Sequence, residues 1–298
     1  MLDLNYLSGL ARMHGGPLQQ PMTRAMTLRG ASFSPWPEVS IMGVVNLSPG
    51  SWYRESVATG VEAAVRRGRR LAVEGARIID IGAESTLSHT ARVDAATQRS
   101  NLVPVVRELS ADGILVSVET YHADVTKACL QAGAAVVNLT AGADTEPFYR
   151  MVAEHEAGII ICYVQNGKHV RDVGDFLMTG DHTQALYDYF ARETELAASL
   201  GVERMWIDPG LGFYYQNLND SKSRIRYQLE TFLNSFRLHA LGWPVCHALP
   251  HAFECFEEEV RSAEPFFAVM ALLGQADLLR THEVAKVRGV IEAMKMIS

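Results

Sequence analysis

The chain has 298 residues, of which 48% are hydrophobic and 20% are charged, a balance that allows a globular core of ordinary size. Its formal net charge of −7 argues against a nucleic-acid-binding surface, because such surfaces carry an excess of basic residues. The length suits one large α/β barrel, since such barrels typically have about 250 residues, or two smaller domains.

The four cysteines, Cys129, Cys162, Cys246 and Cys255, show no CxxC spacing, so neither a zinc site nor a disulfide framework is expected. No apolar run reaches the length of a membrane span. The first residues lack the apolar core and the small-residue cleavage site of a secretory signal. We therefore expect a cytoplasmic protein without nucleic-acid or membrane partners.

Residues 1–38 are predicted to form a short irregular extension, because Gly15, Gly16, Pro17, Pro35 and Pro37 interrupt any regular pattern. From residue 39 onward, short apolar runs rich in β-branched residues recur at regular intervals, as expected for strands. The predicted strands are Ser40–Asn46, Arg77–Gly82, Ile114–Glu119, Ala135–Leu139, Gly158–Val164, Met205–Asp208, Pro244–Leu249 and Asp277–His282.

A stretch with helical periodicity follows each predicted strand. In the first of these stretches Ala64, Val65 and Leu71 share one face, and arginines occupy the opposite face. Gly75 and Gly133, just before the next strands, are typical helix-ending glycines. The predicted helices are Val61–Glu74, Ala95–Leu109, Ala123–Ala132, Glu146–His155, Thr183–Leu200, Ser223–Ala240, Glu264–Leu273 and Val284–Met296.

The predicted strands are continuously apolar, which is typical of parallel strands that are covered on both faces. Eight strand–helix units in succession predict an α/β fold of the (β/α)8 TIM-barrel type, with residues 39–298 as its single domain. A doubly wound open sheet is the alternative, but it would usually show a glycine-rich phosphate turn after its first strand. The sequence NLSPGSW at that position contains no GxGxxG motif.

Polar residues stand at the ends of most of these apolar strands. In a TIM barrel the carboxyl ends of the strands and the loops that follow them build the active site, so these residues are candidates for function. They are Asn46, Asp80, Glu84, Glu119, Asn138, Asp208, Arg280 and His282.

The segments around these residues resemble the strand signatures of the dihydropteroate synthase, or pterin-binding, family. The resemblance covers residues 39–298 in the family's order and spacing. The matching segments are IMGVVNLSPGSW, ARIIDIGAEST, VSVETYHADV, AAVVNLTAG, IDPGLGF and LLRTHEV.

The resemblance implies that a reduced pterin lies in the barrel mouth, bound by Glu119, Asn138 and Asp208, with Phe213 and Arg280 against the ring. A carboxylate suits this ring because the ring offers adjacent N–H groups for paired hydrogen bonds.

It also implies that Asp208, Arg280 and His282 are the catalytic residues, with His282 touching the departing diphosphate. The implied reaction joins 6-hydroxymethyl-dihydropterin diphosphate to an arylamine such as 4-aminobenzoate or a derivative of it. Residues implied in contacts with phosphate or the second substrate are Asn46, Glu84, Ser85, Thr86 and His251, and Asn46 is also the implied Mg²⁺ contact. By the same resemblance we expect a homodimer.

Several family positions carry different residues in this chain. Gly50 replaces an acid in the first loop, and Glu119 replaces the shorter aspartate of the third strand. The family's arginine and lysine positions fall on Leu87, on Ala252 and on the Tyr214–Tyr215 region. Because each charge-assisted hydrogen bond contributes about 1.5–3 kcal/mol, these losses predict weaker recognition of diphosphate and of the aminobenzoate carboxylate.

Three functions stay open at this point. The chain is a synthase of the family type with an altered amine acceptor, a barrel that binds a reduced folate or pterin for other chemistry such as methyl transfer, or a non-catalytic paralogue. The retained Asn46, Asn138, Asp208, Arg280 and His282 favour an enzyme.

Overall fold

The protein is described by a computed structural model. The residues that it describes are 2–14, 23–48, 50, 53, 56–85, 90–165, 169–170, 175–176, 180–213, 221–257 and 259–297.

The parallel strands that the sequence predicts are present, and the TIM-barrel fold is confirmed. Each barrel strand lies beside its predecessor in the chain, and the last barrel strand, Leu278–Thr281, pairs with the first, Ser40–Asn46. Between Met205–Asp208 and Cys246–Ala248 the barrel closes through a hydrogen bond from Ile207 N to Pro244 O, 3.1 Å long. The barrel strands are β3 Ser40–Asn46, β4 Ile78–Gly82, β5 Leu115–Thr120, β6 Val136–Leu139, β7 Gly158–Cys162, β8 Met205–Asp208, β9 Cys246–Ala248 and β10 Leu278–Thr281.

Helices cover the outside of this barrel. Left-handed glycines end two of them as predicted, Gly75 at φ 117° and Gly133 at φ 113°. In the described part of the chain no helix is both long and apolar enough to cross a membrane. The helices are α1 Leu4–Met13, α2 Val61–Glu74, α3 Ala95–Ala111, α4 Ala123–Ala132, α5 Glu146–Glu154, α6 His182–Ser199, α7 Ser221–Asn234, α8 Phe253–Phe256, α9 Val260–Leu273 and α10 Val284–Lys295, with a 3₁₀ helix over Ser235–Leu241.

The prediction that α9 begins at Glu264 was wrong by one turn. Pro265 lacks a backbone N–H, and proline is favoured at the first helical position. The helix instead begins at Val260 and contains the proline. Lys286 Nζ donates to the carbonyl of Arg261 at 3.2 Å, the carbonyl that Pro265 leaves without a helical donor.

The prediction of an irregular N-terminal extension was also wrong. Helix α1 forms there, and Asp3 caps it by accepting a hydrogen bond from Tyr6 N at 2.9 Å. An antiparallel hairpin follows, with β1 at Met26–Leu28 and β2 at Ala31–Phe33. The turn residues Arg29 and Gly30 both have positive φ, as tight hairpins prefer, and three-residue strands are too short to show alternation in sequence.

This hairpin covers the amino-terminal end of the barrel. Leu28 and Phe33 are buried with Met26 against residues from inside the barrel, and the Phe33 ring meets Trp206 edge-on at 5.3 Å. The guanidinium of Arg29 donates to the carbonyls of Gly133 and Ala134, just before β6. The hairpin is therefore part of the barrel's core.

The apolar layer above the hairpin determines where the polar residues lie. Side chains two positions apart on a strand point to the same face. Ile78, Val136, Trp206 and Leu278 lie in this lower layer, each two positions before a polar residue of the next layer. Those polar residues, in the same order, are Asp80, Asn138, Asp208 and Arg280.

If the hairpin belongs to the core, Leu28→Ala will lower the free energy of unfolding by about 3 kcal/mol, as leucine truncations in cores do. The matched control is Leu4→Ala, because Leu4 on α1 is 83% exposed. We expect the control to lie within about 0.5 kcal/mol of the parent in urea denaturation. Equal midpoints for the two variants would contradict this account.

Candidate active site at the carboxyl ends of the strands

One cavity opens at the carboxyl ends of the barrel strands, and most of the predicted site residues line it. The structure brings together side chains that are up to 236 positions apart in the chain, as for Asn46 and His282. Predicted site residues on its wall are Asn46, Glu84, Ser85, Glu119, Asn138, Asp208, Phe213, Arg280 and His282. Their individual roles stay predictions.

Arg280 is the central ion of this cavity. Its Nε donates to Asp80 Oδ2 at 2.7 Å and its Nη2 donates to Glu119 Oε2 at 2.5 Å. Asp80 is fully buried. Its charge is tolerated there because the guanidinium of Arg280 pairs with it. The arginine thus joins β10 to β4 and β5 across the interior.

Asn138 is held in one orientation. Its Nδ2 donates to Asp80 Oδ2 at 3.2 Å, and its Oδ1 accepts from the thiol of Cys162 at 3.3 Å. A carboxamide has two N–H groups and two acceptor sites, so one of each is left for a ligand. Cys162, which the sequence indicated only as a core residue, is a neighbour of the site.

Asp208 lies where β8 gives way to a tight turn. Its Oδ1 accepts from Gly210 N at 2.8 Å. Gly210 has φ 75°, and a Cβ there would stand 2.4 Å from the carbonyl oxygen of Tyr163, so only glycine fits this turn. The turn fixes the carboxylate against the cavity.

Burial shifts the titration of the acids in the cavity. It raises the pKa of Glu119 to about 7, although Arg280 opposes the shift. It also raises the pKa of Asp208 to about 6, against the hydrogen bond from Gly210 and the charge of Arg280. Burial acts against the charge of Arg280 as well, but its carboxylate neighbours outweigh burial and raise the pKa of the guanidinium.

His282 lies at the other end of the cavity between two polar partners. Its Nδ1 is 2.5 Å from Glu264 Oε1, and its Nε2 is 3.4 Å from Asn46 Nδ2. The ring of Tyr53 stacks on the imidazole with centroids 4.5 Å apart, and the Tyr53 hydroxyl donates to Glu283. Sequence patterns gave no signal for Glu264 or Tyr53, because neither stands at a strand end.

Glu84 is bound into a polar network beside Glu119. It accepts hydrogen bonds from Tyr121 OH at 2.6 Å, from Val93 N at 2.8 Å and from Gln98 Nε2 at 3.3 Å. Two of these donors lie at or just before the start of α3 and one just after the end of β5, and together they satisfy the carboxylate. Glu84 is therefore fixed in place as part of the wall.

One predicted contact, His251, is not among the described residues that line the cavity. His251 is buried and stacks on Phe253 at 3.5 Å, and burial lowers its pKa to about 4, so the ring is neutral at pH 7. Its predicted contact with phosphate or the second substrate stays a prediction. Thr86 lies outside the described residues.

Comparison with known proteins decides the family. The family described as "Pterin binding enzyme" matches residues 42–249. The dihydropteroate synthase of Streptococcus pyogenes serotype M6 is 30% identical over 210 residues, which cover 69% of this chain and 73% of the relative. The chain belongs to the dihydropteroate synthase family. The resemblance inferred from the strand signatures is confirmed.

Other members of the dihydropteroate synthase family agree with this placement. A probable bifunctional folylpolyglutamate synthase/dihydropteroate synthase of Halobacterium salinarum is 30% identical over 259 residues, 84% of this chain and 31% of that protein. A Xanthomonas albilineans dihydropteroate synthase solved with 4-aminobenzoic acid has the same fold. Its TM-score is 0.76 at 24% identity, over 92% of this chain and 98% of the other.

Because its pKa is raised, ionised Asp208 costs stability in this family member, and the cost appears as the pH rises from about 4 through 6. Asp208→Asn removes this cost, so at pH 8 the variant should be more stable by about 3 kcal/mol, since the pKa rises by about two units and each unit corresponds to about 1.4 kcal/mol. At pH 4 the two proteins should unfold at the same urea concentration.

The control for this prediction is Asp277→Asn. Asp277 is buried but accepts hydrogen bonds from Trp36 N and Val245 N and lies 2.9 Å from His239 Nε2. Neutralising it should lower stability at pH 8, the opposite sign. A loss of stability for both variants at pH 8 would contradict the burial cost that we assign to Asp208.

Proposed function

We propose that the protein is a transferase of the dihydropteroate synthase type, which binds a reduced pterin in the barrel mouth and joins it to an arylamine. The observation that carries the proposal is the convergence of Asp208, Asn138 and Glu119 with Arg280 in one cavity. Family membership supports the reaction class. A related Xanthomonas albilineans enzyme was solved with 7,8-dihydropteroate, which has both halves of such a product.

The ring would be recognised through its amino-pyrimidinone edge. Ionised Asp208 would accept two adjacent N–H groups of the ring, and Asn138 would supply one further donor and one acceptor. Glu119 would stand beside them, held by Arg280. Phe213 lines the same cavity and offers the ring an apolar face.

In the reaction the bond between the pterin methylene carbon and the diphosphate oxygen breaks, and the electron pair leaves with the diphosphate. The arylamine nitrogen donates its lone pair to that carbon, and the amine proton passes to water. Positive charge develops on the pterin as the diphosphate departs. The carboxylates of Asp208 and Glu119 line the same cavity and would stabilise that charge.

The diphosphate end would be formed by Asn46 and His282. Of the family's cationic positions, Ala252 is described and buried, whereas Leu87, Tyr214 and Tyr215 lie outside the described residues. An adjoining cavity begins at His282, and its cationic side chains are Arg67, Arg70, Arg261 and Lys286. Three of these cations are already paired within that cavity, Arg70 with Glu74 and both Arg261 and Lys286 with Glu283.

Magnesium stays part of the proposal, with a restricted role. No group of three His, Cys, Asp or Glu side chains that could hold a metal occurs among the described residues. The Asn46 amide nitrogen already donates to Ser56, so its carbonyl oxygen is the atom suited to a cation. Mg²⁺ is often held mainly by substrate phosphates, and here the diphosphate would have to supply most ligands.

Calorimetric titration tests the proposal directly. We expect 6-hydroxymethyl-dihydropterin to bind, and its diphosphate to bind at least tenfold more tightly because it adds anion contacts. Asp208→Ala should abolish binding of both, whereas Asp188→Ala, a change on the exposed outer face of α6, should not alter it. Added 4-aminobenzoate should then yield a condensed product by mass spectrometry.

Other outcomes point to the other functions. Equal affinity for both pterins without a product would favour folate-linked chemistry such as methyl transfer. No binding of either compound would favour a non-catalytic paralogue.

Pterin affinity should depend on pH in a defined direction. Because Asp208 must be ionised to accept two N–H groups, affinity for the 6-hydroxymethyl compound should fall as the pH drops below about 6, by up to tenfold per unit. Glu119→Gln should remove any further loss between pH 8 and 6 and keep the loss below 6. An affinity that is flat from pH 8 to 5 in the parent would contradict this assignment.

A further inference from the structure

We propose that Glu264 is the positioning residue for His282: it holds the imidazole with its Nδ1 proton on the carboxylate and presents Nε2 to the departing diphosphate. The inference rests on the proposed function for the identity of the anion. The geometry of the pair does not depend on it.

Glu264 is a fully buried carboxylate with four donors around it. Its Oε2 accepts from the Thr281 hydroxyl, from His282 N at 2.8 Å and from Glu283 N at 3.2 Å. Its Oε1 faces His282 Nδ1 at 2.5 Å. Such convergence of donors lets a carboxylate stay charged away from water. The carboxylate itself can only accept, so Nδ1 carries a proton.

The contacts on the Nε2 side of the His282 ring indicate the same tautomer. The Ser56 hydroxyl donates to Tyr53 O at 2.7 Å, so its oxygen accepts the N–H of Asn46 Nδ2. This fixes the Asn46 amide with its nitrogen toward His282 Nε2 at 3.4 Å. A donor on that side leaves Nε2 as the unprotonated nitrogen when no ligand is present.

A ring arranged in this way is suited to an anion. When the diphosphate replaces Asn46 as the neighbour of Nε2, a second proton there gives an imidazolium between two negative groups. The carboxylate behind the ring stabilises that imidazolium and holds it in orientation, as the acid of a catalytic triad does. The Tyr53 ring stacked at 4.5 Å restricts the imidazole from a third side.

Glu264→Gln provides a sharp test because the two oxygens of Glu264 have different partners. The backbone N–H groups of His282 and Glu283 cannot change, so the glutamine oxygen must take the Oε2 position. Its NH2 group then faces Nδ1 of His282, which must lose its proton. The ring then carries its proton on Nε2, and the glutamine NH2 group opposes a second proton on Nδ1.

Measurements of ligand affinity should distinguish a positioning role of Glu264 from a merely structural one. In Glu264→Gln the affinity for the pterin diphosphate should fall by about tenfold or more, whereas affinity for the 6-hydroxymethyl compound, which has no diphosphate, should stay within about twofold. In a His282→Asn background the same change should have no further effect. The control, Glu193→Gln, removes a carboxylate that accepts from Tyr149 OH on the outer helices and should alter neither affinity.

Nitrogen NMR of the His282 ring gives an independent reading. At pH 8 the unaltered protein should show a protonated Nδ1, and Glu264→Gln should show a bare Nδ1. A bare Nδ1 in the unaltered protein, equal weakening of both ligands, or additive losses in the double variant would overturn the inference. If the unaltered protein does not prefer the diphosphate, the proposed function fails, and the NMR comparison still decides the role of Glu264.

Discussion

The ion pairs of Arg280 are the interaction on which the rest of the site depends. A guanidinium inside the barrel allows Asp80 and Glu119 to lie above an apolar layer that would otherwise exclude their charge. Asn138 is oriented by the same Asp80 oxygen that accepts from Arg280. Asp80, Glu119, Asn138 and Arg280 therefore form one connected network, and its members cannot be exchanged independently.

This network, together with Asp208, leaves excess negative charge at the end of the cavity that we propose for the pterin. Burial raises the pKa values of Glu119 and Asp208 into the range where proteins work, so both groups are held in a state that costs folding free energy. The arrangement is useful when a ligand supplies N–H groups and a developing positive charge. The instability of the empty cavity and its affinity for such a ligand then have one physical origin.

The end of the cavity that we propose for the diphosphate is built on a different principle. The family's arginine and lysine positions are predicted to fall on Leu87, Ala252 and the Tyr214–Tyr215 region, and His251 is neutral and packed against Phe253. His282, backed by Glu264, is the group that can gain positive charge when an anion arrives. A charge that forms only with the ligand avoids a second permanent cation beside Arg280 in the empty barrel.

The sequence alone determined the strand order, the end of the barrel at which the polar residues lie, and the family, because continuously apolar strand runs with polar ends and short signatures are local properties. Only the tertiary structure decided which groups pair. Arg280 pairs with Asp80, which is 200 positions away in the chain. Glu264, which contacts His282, lies on helix α9 and belongs to none of the sequence motifs. Such contacts are set by distances across the barrel, and a hydrogen bond depends on tenths of an ångström that no sequence period encodes.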